Sequence, residues 1–320
     1  MLSIIVPVYN EEENVEHMVA ALLEVAGQYG PSVECIFVDD GSKDNSYAKL
    51  AESAKANSII KVIRFARNMG QTAAIQAGID HATGETLVFL DADLQNDPAD
   101  IPKLLHKLDE GYDVVSGWRK DRQDNAIKRN FPSRIANWLI SIISGVHLHD
   151  YGCTLKAYRK DVIKGVRLYG EMHRFIPIYA AWMGAKVTEV LVTHHARKFG
   201  QSKYGIERIF KVLLDLLVVK FFDKHLYKPM YVFGGCGIFS FLLATIAFIW
   251  ALCLKLFNNI SLIQTPLLLV SSVFALVGVM CILMGLLAEI MSRTYHESQG
   301  KNAYIVREHI NIPEHDKEKL

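Results

Sequence analysis

The residues best placed to do chemistry are two aspartates one residue apart, in Phe89-Leu90-Asp91-Ala92-Asp93-Leu94-Gln95. An apolar run, Thr86 to Leu90, precedes them and reads as a buried strand. In an open α/β sheet, ligands bind off the carboxyl ends of strands. Two carboxylates at such an end offer hard oxygen ligands to Mg²⁺ or Mn²⁺. A hard cation of this kind keeps waters and takes further ligands from substrate phosphates, so the pair suits a diphosphate. The plain alternative for the tripeptide alone is a turn with solvated aspartates.

Two more strand ends carry acids. Leu2 to Val8 leads to Glu11-Glu12-Glu13, and Val33 to Val38 leads to Asp39-Asp40-Gly41-Ser42. If these strands are neighbours, the carboxylates converge, and such a cluster is costly without a cation. A third strand, Ile59 to Phe65, leads to Arg67-Asn68-Met69-Gly70-Gln71, and a fifth, Asp113 to Gly117, to Trp118-Arg119. Helical periodicity fills the intervals, at about 12–28, 72–82 and 98–110. Alternating strands and helices imply an α/β fold with a mainly parallel sheet covered on both faces. The first strand is followed by no GxGxxG and the chain has no GxxxxGK[ST], which disfavours a dinucleotide site and a P-loop.

Composition bounds the rest. The 320 residues carry a formal charge of +1, which argues against nucleic acid as the main partner. Five scattered cysteines with no CxxC pair suggest reduced thiols. The start has a short apolar run without basic residues, unlike a signal peptide. Pro229 to Leu254 holds no charged residue, nor does the interval between Lys255 and Glu289. Each run exceeds the ~20 apolar residues that cross a bilayer as a helix. Lys and Arg before the first run and after the second place both termini in the cytoplasm by the positive-inside rule.

Together these motifs resemble the family 2 glycosyltransferases of GT-A fold. The resemblance rests on Pro7-Val8-Tyr9-Asn10-Glu11, Asp39-Asp40-Gly41-Ser42, Arg67-Asn68-x-Gly70 and Asp91-Ala92-Asp93-Leu94-Gln95. Asp150-Tyr151-Gly152-Cys153, Gly200-Gln201-Ser202-Lys203-Tyr204 and the apolar hairpin narrow it to the polyprenyl-phosphate glycosyltransferases. That group includes dolichyl-phosphate mannose synthases, bactoprenol glucosyltransferases and undecaprenyl-phosphate aminoarabinose transferases.

The resemblance implies a Rossmann-like GT-A catalytic domain over 1–204, with an interfacial amphipathic helix about 128–146. A second interfacial helix, 205–228, would lead to two transmembrane helices, about 229–254 and 265–290, and a tail, 292–320. The tail's run 303–308 would add a strand to a neighbouring subunit, making a homo-oligomer. Donor binding would fall to Pro7, Tyr9, Glu11, Asp39, Asp40, Gly70, Asp91 and Ala92, with Asp39 accepting the N3–H of a uracil. Asp93, with Asp91, would hold Mg²⁺ or Mn²⁺, and Gln95 would lie beside the transferring sugar. Arg119, Arg197, Ser202 and Lys203 would meet the donor diphosphate or the acceptor phosphate. Asp150 would face the reaction centre. A phosphate monoester loses its second proton near pH 6, so Asp150 is expected to orient groups more than to act as a base. Cys153 reads as a packed thiol, and adjacent His194 and His195 as facing opposite ways.

The reaction implied is transfer of one sugar, with inversion, from a UDP-sugar to undecaprenyl or another polyprenyl phosphate at the inner membrane. Glucose and a 4-amino-4-deoxy-arabinose derivative are the expected sugars. Two rivals are a processive polysaccharide synthase, whose Gln-x-x-Arg-Trp motif is absent, and a non-catalytic membrane scaffold that binds nucleotide sugar.

Overall fold

A computed structural model describes residues 1–120, 137, 140–142, 144–163, 172–196, 229–258, 260–298 and 304–312. The chain divides into two compact units, Met1–Leu217 with Lys301–Leu320, and Val218–Gly300.

The first unit is built on an eight-stranded sheet. Its strands are β1 (Leu2–Val8), β2 (Val33–Asp39), β3 (Ile60–Phe65), β4 (Thr86–Phe89), β5 (Val114–Trp118), β6 (Lys156–Arg159), β7 (Val187–Leu191) and β8 (Val306–Ile310). Their spatial order is β7-β5-β6-β4-β1-β2-β3-β8. Pairing is parallel for β1 with β2 and β4, for β2 with β3 and for β5 with β7. It is antiparallel where β6 joins β4 and β5 and where β8 joins β3. The sheet is thus mixed, with a parallel centre.

Central strands are apolar on both faces because helices cover both. Ile4, Val6 and Val8 pack with α1 (Val15–Tyr29), α2 (Ser46–Ala56) and α4 (Ile101–Asp109) through Met18, Leu22, Leu50 and Leu104. Ile5, Ile36 and Val38 pack on the other face with α3 (Gln71–His81) and with α6 (Ile176–Trp182), which follows the one-turn α5 (Lys160–Ile163). Small residues bring α3 close to β1. A Cβ on Gly78 would sit 2.3 Å from Ile5 Cγ2.

Three strands depart from the sequence reading. The four-residue β6 and the half-buried β7 lack a long apolar run, so periodicity does not announce them. The tail strand, expected to join a neighbouring subunit, instead pairs with β3 of its own chain at the sheet edge. Tyr304 anchors its start, stacking on Phe65 at 5.4 Å and donating to Asp80 Oδ2 at 2.9 Å.

The second unit holds α7 (Pro229–Asn258) and α8 (Leu267–Ser298). Phe233–Asn258 and Leu267–Ala288 are long and apolar enough to cross a membrane. They pack on each other through small residues. A Cβ on Gly237 would lie 3.0 Å from Gly278 O, and one on Gly278 would lie 3.1 Å from Gly237 O. Ser240 Oγ donates to Phe274 O at 2.7 Å and Ser271 Oγ to Ala244 O at 2.9 Å. Close backbone approach and such interhelical hydrogen bonds are what hold helices together where lipid supplies no hydrophobic drive.

Candidate active site

The order β4-β1-β2 makes the three acidic strand ends neighbours. A cavity of about 210 Å³ opens there, lined by Pro7, Tyr9, Glu11, Asp40, Gly70, Asp91, Ala92 and Asp93 among the expected residues. Val8, Asn68 and Gln71 complete the lining. Gln71, at the start of α3, had no expected role. It donates through Nε2 to Asp91 Oδ1 at 2.7 Å. Its place directly after Arg67-Asn68-Met69-Gly70 was the available signal.

The loops around the cavity are held by side chain to backbone bonds. Asn10, at φ 53°, accepts from Lys43 N at 2.8 Å, and Ser42 Oγ accepts from Asn10 N at 3.0 Å. Ser46 Oγ accepts from Glu11 N at 2.8 Å. Glu12 turns away, accepting from Asn45 N at 2.9 Å. Gly41, at φ +68°, leaves no room for a Cβ, which would fall 2.6 Å from the Arg67 carbonyl carbon. The β2 and β3 loops therefore meet at backbone distance.

The two aspartates after β2 part company. Asp40 lines the cavity and accepts from Met69 N at 2.6 Å and Gly70 N at 3.0 Å. Burial pushes its carboxyl up to about 6 although those two bonds favour the anion. Asp39 is wholly buried and is absent from the cavity lining. Its Oδ1 accepts from Ser42 N at 3.1 Å and its Oδ2 lies 3.6 Å from Arg64 Nε.

Asp91 and Asp93 share the cavity. Burial, and then the neighbouring Asp93, raise the Asp91 carboxyl well above the usual carboxylate range. Burial is the larger cause, and the like charge of Asp93 adds to it. Asp93 Oδ1 also accepts from Gln95 N at 3.1 Å, and Leu94 between them takes φ 56°. Among the described residues, no group of three His, Cys, Asp or Glu side chains converges as a metal cage. The pair instead suits a hard cation that completes its shell from water and phosphate.

Arg119 and Asp150 form a buried bidentate pair, Nε–Oδ2 2.7 Å and Nη2–Oδ1 3.1 Å. Burial opposes the charged guanidinium, but the Asp150 carboxylate overrides it and raises Arg119. Both of those nitrogens face Asp150, so this edge of the guanidinium is already taken. The pairing also leaves Asp150 as a partnered carboxylate, poorly placed to take a proton. The pair exists because β6 runs antiparallel between β4 and β5, returning the 150–155 loop beside Trp118-Arg119.

Lys156, on β6, is buried beneath that loop. Its Nζ donates to Tyr151 O at 3.1 Å, and burial pulls its ammonium down to about 8. Asn96 Nδ2 donates to Thr154 Oγ1 at 3.0 Å, tying the loop to the segment after Asp93. Cys153 is buried, and burial pushes its thiol up to about 11, the behaviour of a packed cysteine. His194 is buried, while His195 Nε2 lies 3.1 Å from Asp97 Oδ2. Arg197, Ser202 and Lys203 fall outside the described residues, as do 205–228 and most of 128–146. Within that last stretch Ile142 is exposed and Ile140 buried.

Known proteins resemble this chain over most of its length. The family model of glycosyl transferase family 2 matches residues 3–167. A dodecaprenyl-phosphate galacturonate synthase of Rhizobium johnstonii is 42% identical over 96% of this chain and 92% of its own. An undecaprenyl-phosphate 4-deoxy-4-formamido-L-arabinose transferase of Shewanella sediminis is 36% identical over the same shares, 96% and 92%. Among solved structures, glucosyl-3-phosphoglycerate synthase of Mycobacterium tuberculosis, in complex with Mn²⁺, UDP and glucosyl-3-phosphoglycerate, shares the fold. Its TM-score is 0.54 at 15% identity, covering 69% of this chain and 79% of that one. The chain belongs to glycosyl transferase family 2 and, within it, to the polyprenyl-phosphate glycosyltransferases.

Proposed function

We propose that this enzyme transfers one sugar from a UDP-sugar to a polyprenyl phosphate, with inversion, at the cytoplasmic face of a membrane. The observation that carries the reading is the cavity at the ends of β1, β2 and β4, where Asp40, Asp91 and Asp93 face one space. Asp40 takes the base-facing place first expected of Asp39, because only Asp40 lines that cavity. Tyr9 and Pro7 line the same cavity and would contact the nucleoside.

Asp91 and Asp93 would hold Mg²⁺ or Mn²⁺. Once bound, such an ion supplies charge neutralisation for the leaving diphosphate. The chain's own groups do the remaining work. Gln71 fixes Asp91, and the Asp93–Gln95 turn sets the carboxylate next to where the sugar would sit. A lipid phosphate oxygen attacks the anomeric carbon, the bond from that carbon to the diphosphate breaks, and UDP leaves with the electron pair. At neutral pH the acceptor is already largely a dianion, so no strong base is required. Arg119, clamped by Asp150, keeps a fixed positive charge beside the reaction, a preorganised field for the phosphates.

Among the sugars, the names of the relatives favour galacturonate and 4-deoxy-4-formamido-L-arabinose over glucose. The apolar pair α7 and α8 would be a transmembrane hairpin with both termini cytoplasmic, on the distribution of Lys and Arg around it.

The test is a mass-spectrometric transfer assay on detergent-purified protein. Undecaprenyl and dodecaprenyl phosphate are each offered with UDP-galacturonate, UDP-4-deoxy-4-formamido-arabinose and UDP-glucose, with Mg²⁺, Mn²⁺ or EDTA. One lipid-phosphate-sugar adduct, lost in EDTA, is expected. Products longer than one sugar, or UDP-sugar binding without turnover for every pair, would overturn the reading.

A further inference from the structure

Three charged residues stand in one row across three strands. In the sheet register Asp39 of β2 lies opposite Arg64 of β3, and Arg64 lies opposite Glu308 of β8. Arg64 Nε is 3.6 Å from Asp39 Oδ2, and Arg64 Nη1 is 3.8 Å from Glu308 Oε1. Tyr47 closes the group. Its ring lies 4.0 Å under the Arg64 guanidinium and its hydroxyl donates to Glu308 Oε2 at 2.6 Å. Asp39 is 0% exposed, so Arg64 is its principal counter-charge, and a buried carboxylate left without one is costly.

The far side of Asp39 is the donor loop. Its other oxygen accepts from Ser42 N, and Ser42 Oγ in turn holds Asn10 N beside Tyr9 and Glu11. A second link runs from β8 to the next loop. Ile305 O accepts from Ala66 N at 3.0 Å, immediately before Asn68 and Gly70, which line the cavity. Both loops that frame the cavity next to Asp40 are therefore tied to a strand that follows the second apolar helix in the chain.

We propose that β8 is a positioning element of the donor site, in which Glu308 acts through Arg64 to hold Asp39 and the loop it anchors. The proposal rests on reading the cavity as the nucleotide pocket. It makes donor affinity depend on residues that the chain adds only after both apolar helices. Acceptor binding and the chemical step do not pass through this row.

The test uses the full-length protein in detergent, with UDP affinity by calorimetry and KM and kcat from transfer. Arg64→Met should weaken UDP by about tenfold, as expected when a buried carboxylate loses its partner, and Glu308→Gln by about threefold, as for a half-exposed pair. The double variant should be no weaker than Arg64→Met alone, because Glu308 acts through Arg64; groups in one network are non-additive. KM for the donor should rise while kcat and KM for the polyprenyl phosphate stay within about twofold, the pattern of lost ground-state binding.

Additive losses, or a fall in kcat without a rise in donor KM, would overturn the proposal. So would UDP affinity within twofold of the parent in folded Arg64→Met. If Arg64→Met does not fold, Glu308→Gln and Tyr47→Phe carry the test, each expected to raise donor KM with no change in thermal midpoint. Asp40→Asn separates the two readings. Unaltered UDP affinity in Asp40→Asn would remove the nucleotide pocket itself, whereas loss there with parental behaviour in the row variants would remove only the role of β8.

Discussion

At the scale of residues, the site is a set of carboxylates whose neighbours decide their roles. Asp93 has the most direct role in the proposed reaction. Asp93→Ala is expected to abolish transfer while the protein still folds. Residual activity above about a tenth, a barrier change under ~1.4 kcal/mol, would remove it from that role. Asp40 makes a pH prediction. Its carboxyl titrates near 6, above its ordinary value of 3.8, with burial as the first cause. Protonation weakens its hold on Met69 N and Gly70 N, so UDP affinity should fall as pH drops through about 6. Asp40→Asn should bind more weakly but with no such pH step. The stability linkage has the opposite sense. A raised carboxyl favours the fold below the unfolded value, and that contribution is lost as pH rises through about 6. Isothermal titration and thermal melts from pH 5 to 8 read the two effects separately. Asp150 and Arg119 pair with each other, so each occupies part of the other's hydrogen-bonding capacity, which fits an orienting role for Asp150 better than that of a base.

At the scale of elements, glycine placement determines what can approach what. In the apolar pair, Gly237 and Gly278 let α7 and α8 touch by backbone. Gly278→Val would push a methyl group into Phe241 Cδ2 and Gly237 O, where even a Cβ lies at 3.0 and 3.1 Å. We expect a loss of ~1–3 kcal/mol, the usual range for overpacking, seen as a lower melting point in detergent. Gly235→Val is the control, because nothing lies within 4 Å of its added Cβ. An equal drop in both variants would mean helix propensity rather than packing. In the sheet, β6 is the element with most consequence. Four residues bring Lys156 under the 150–155 loop and set that loop against the end of β5.

At the scale of the whole molecule, the chain leaves the catalytic unit, forms the apolar pair and returns to the sheet as β8. If both termini are cytoplasmic, a cysteine introduced at Ser261, between the helices, should react with a membrane-impermeant thiol reagent in intact cells. One introduced at Lys317 should react only after permeabilisation, in a chain whose own five cysteines are replaced. The reverse pattern would invert the topology. The same architecture keeps the cavity proposed for the donor within one unit, so on that reading nucleotide binding would be a property of that unit's sheet and loops.

Much of this was legible in the sequence for a physical reason. Buried parallel strands must be continuous apolar runs, so β1 to β5 announce themselves, and polar groups after them mark the ligand-binding edge. The motif residues Tyr9, Glu11, Gly70, Asp91 and Asp93 line one cavity because the strands they follow are neighbours in the sheet or flank it. The apolar pair was equally plain, since spanning length is a matter of composition. Other features depended on tertiary contacts. Whether Asp39 or Asp40 faces the cavity turns on which way each side chain leaves the end of β2, and the sequence Asp-Asp is silent on that. The Arg119–Asp150 clamp requires β6, which is too short to have a period. The use of Glu308 depends on β8 pairing with β3, more than 240 residues earlier in the chain, which no local pattern records. Local sequence sets which segments become strands and helices; the order in which strands pair decides which charges meet.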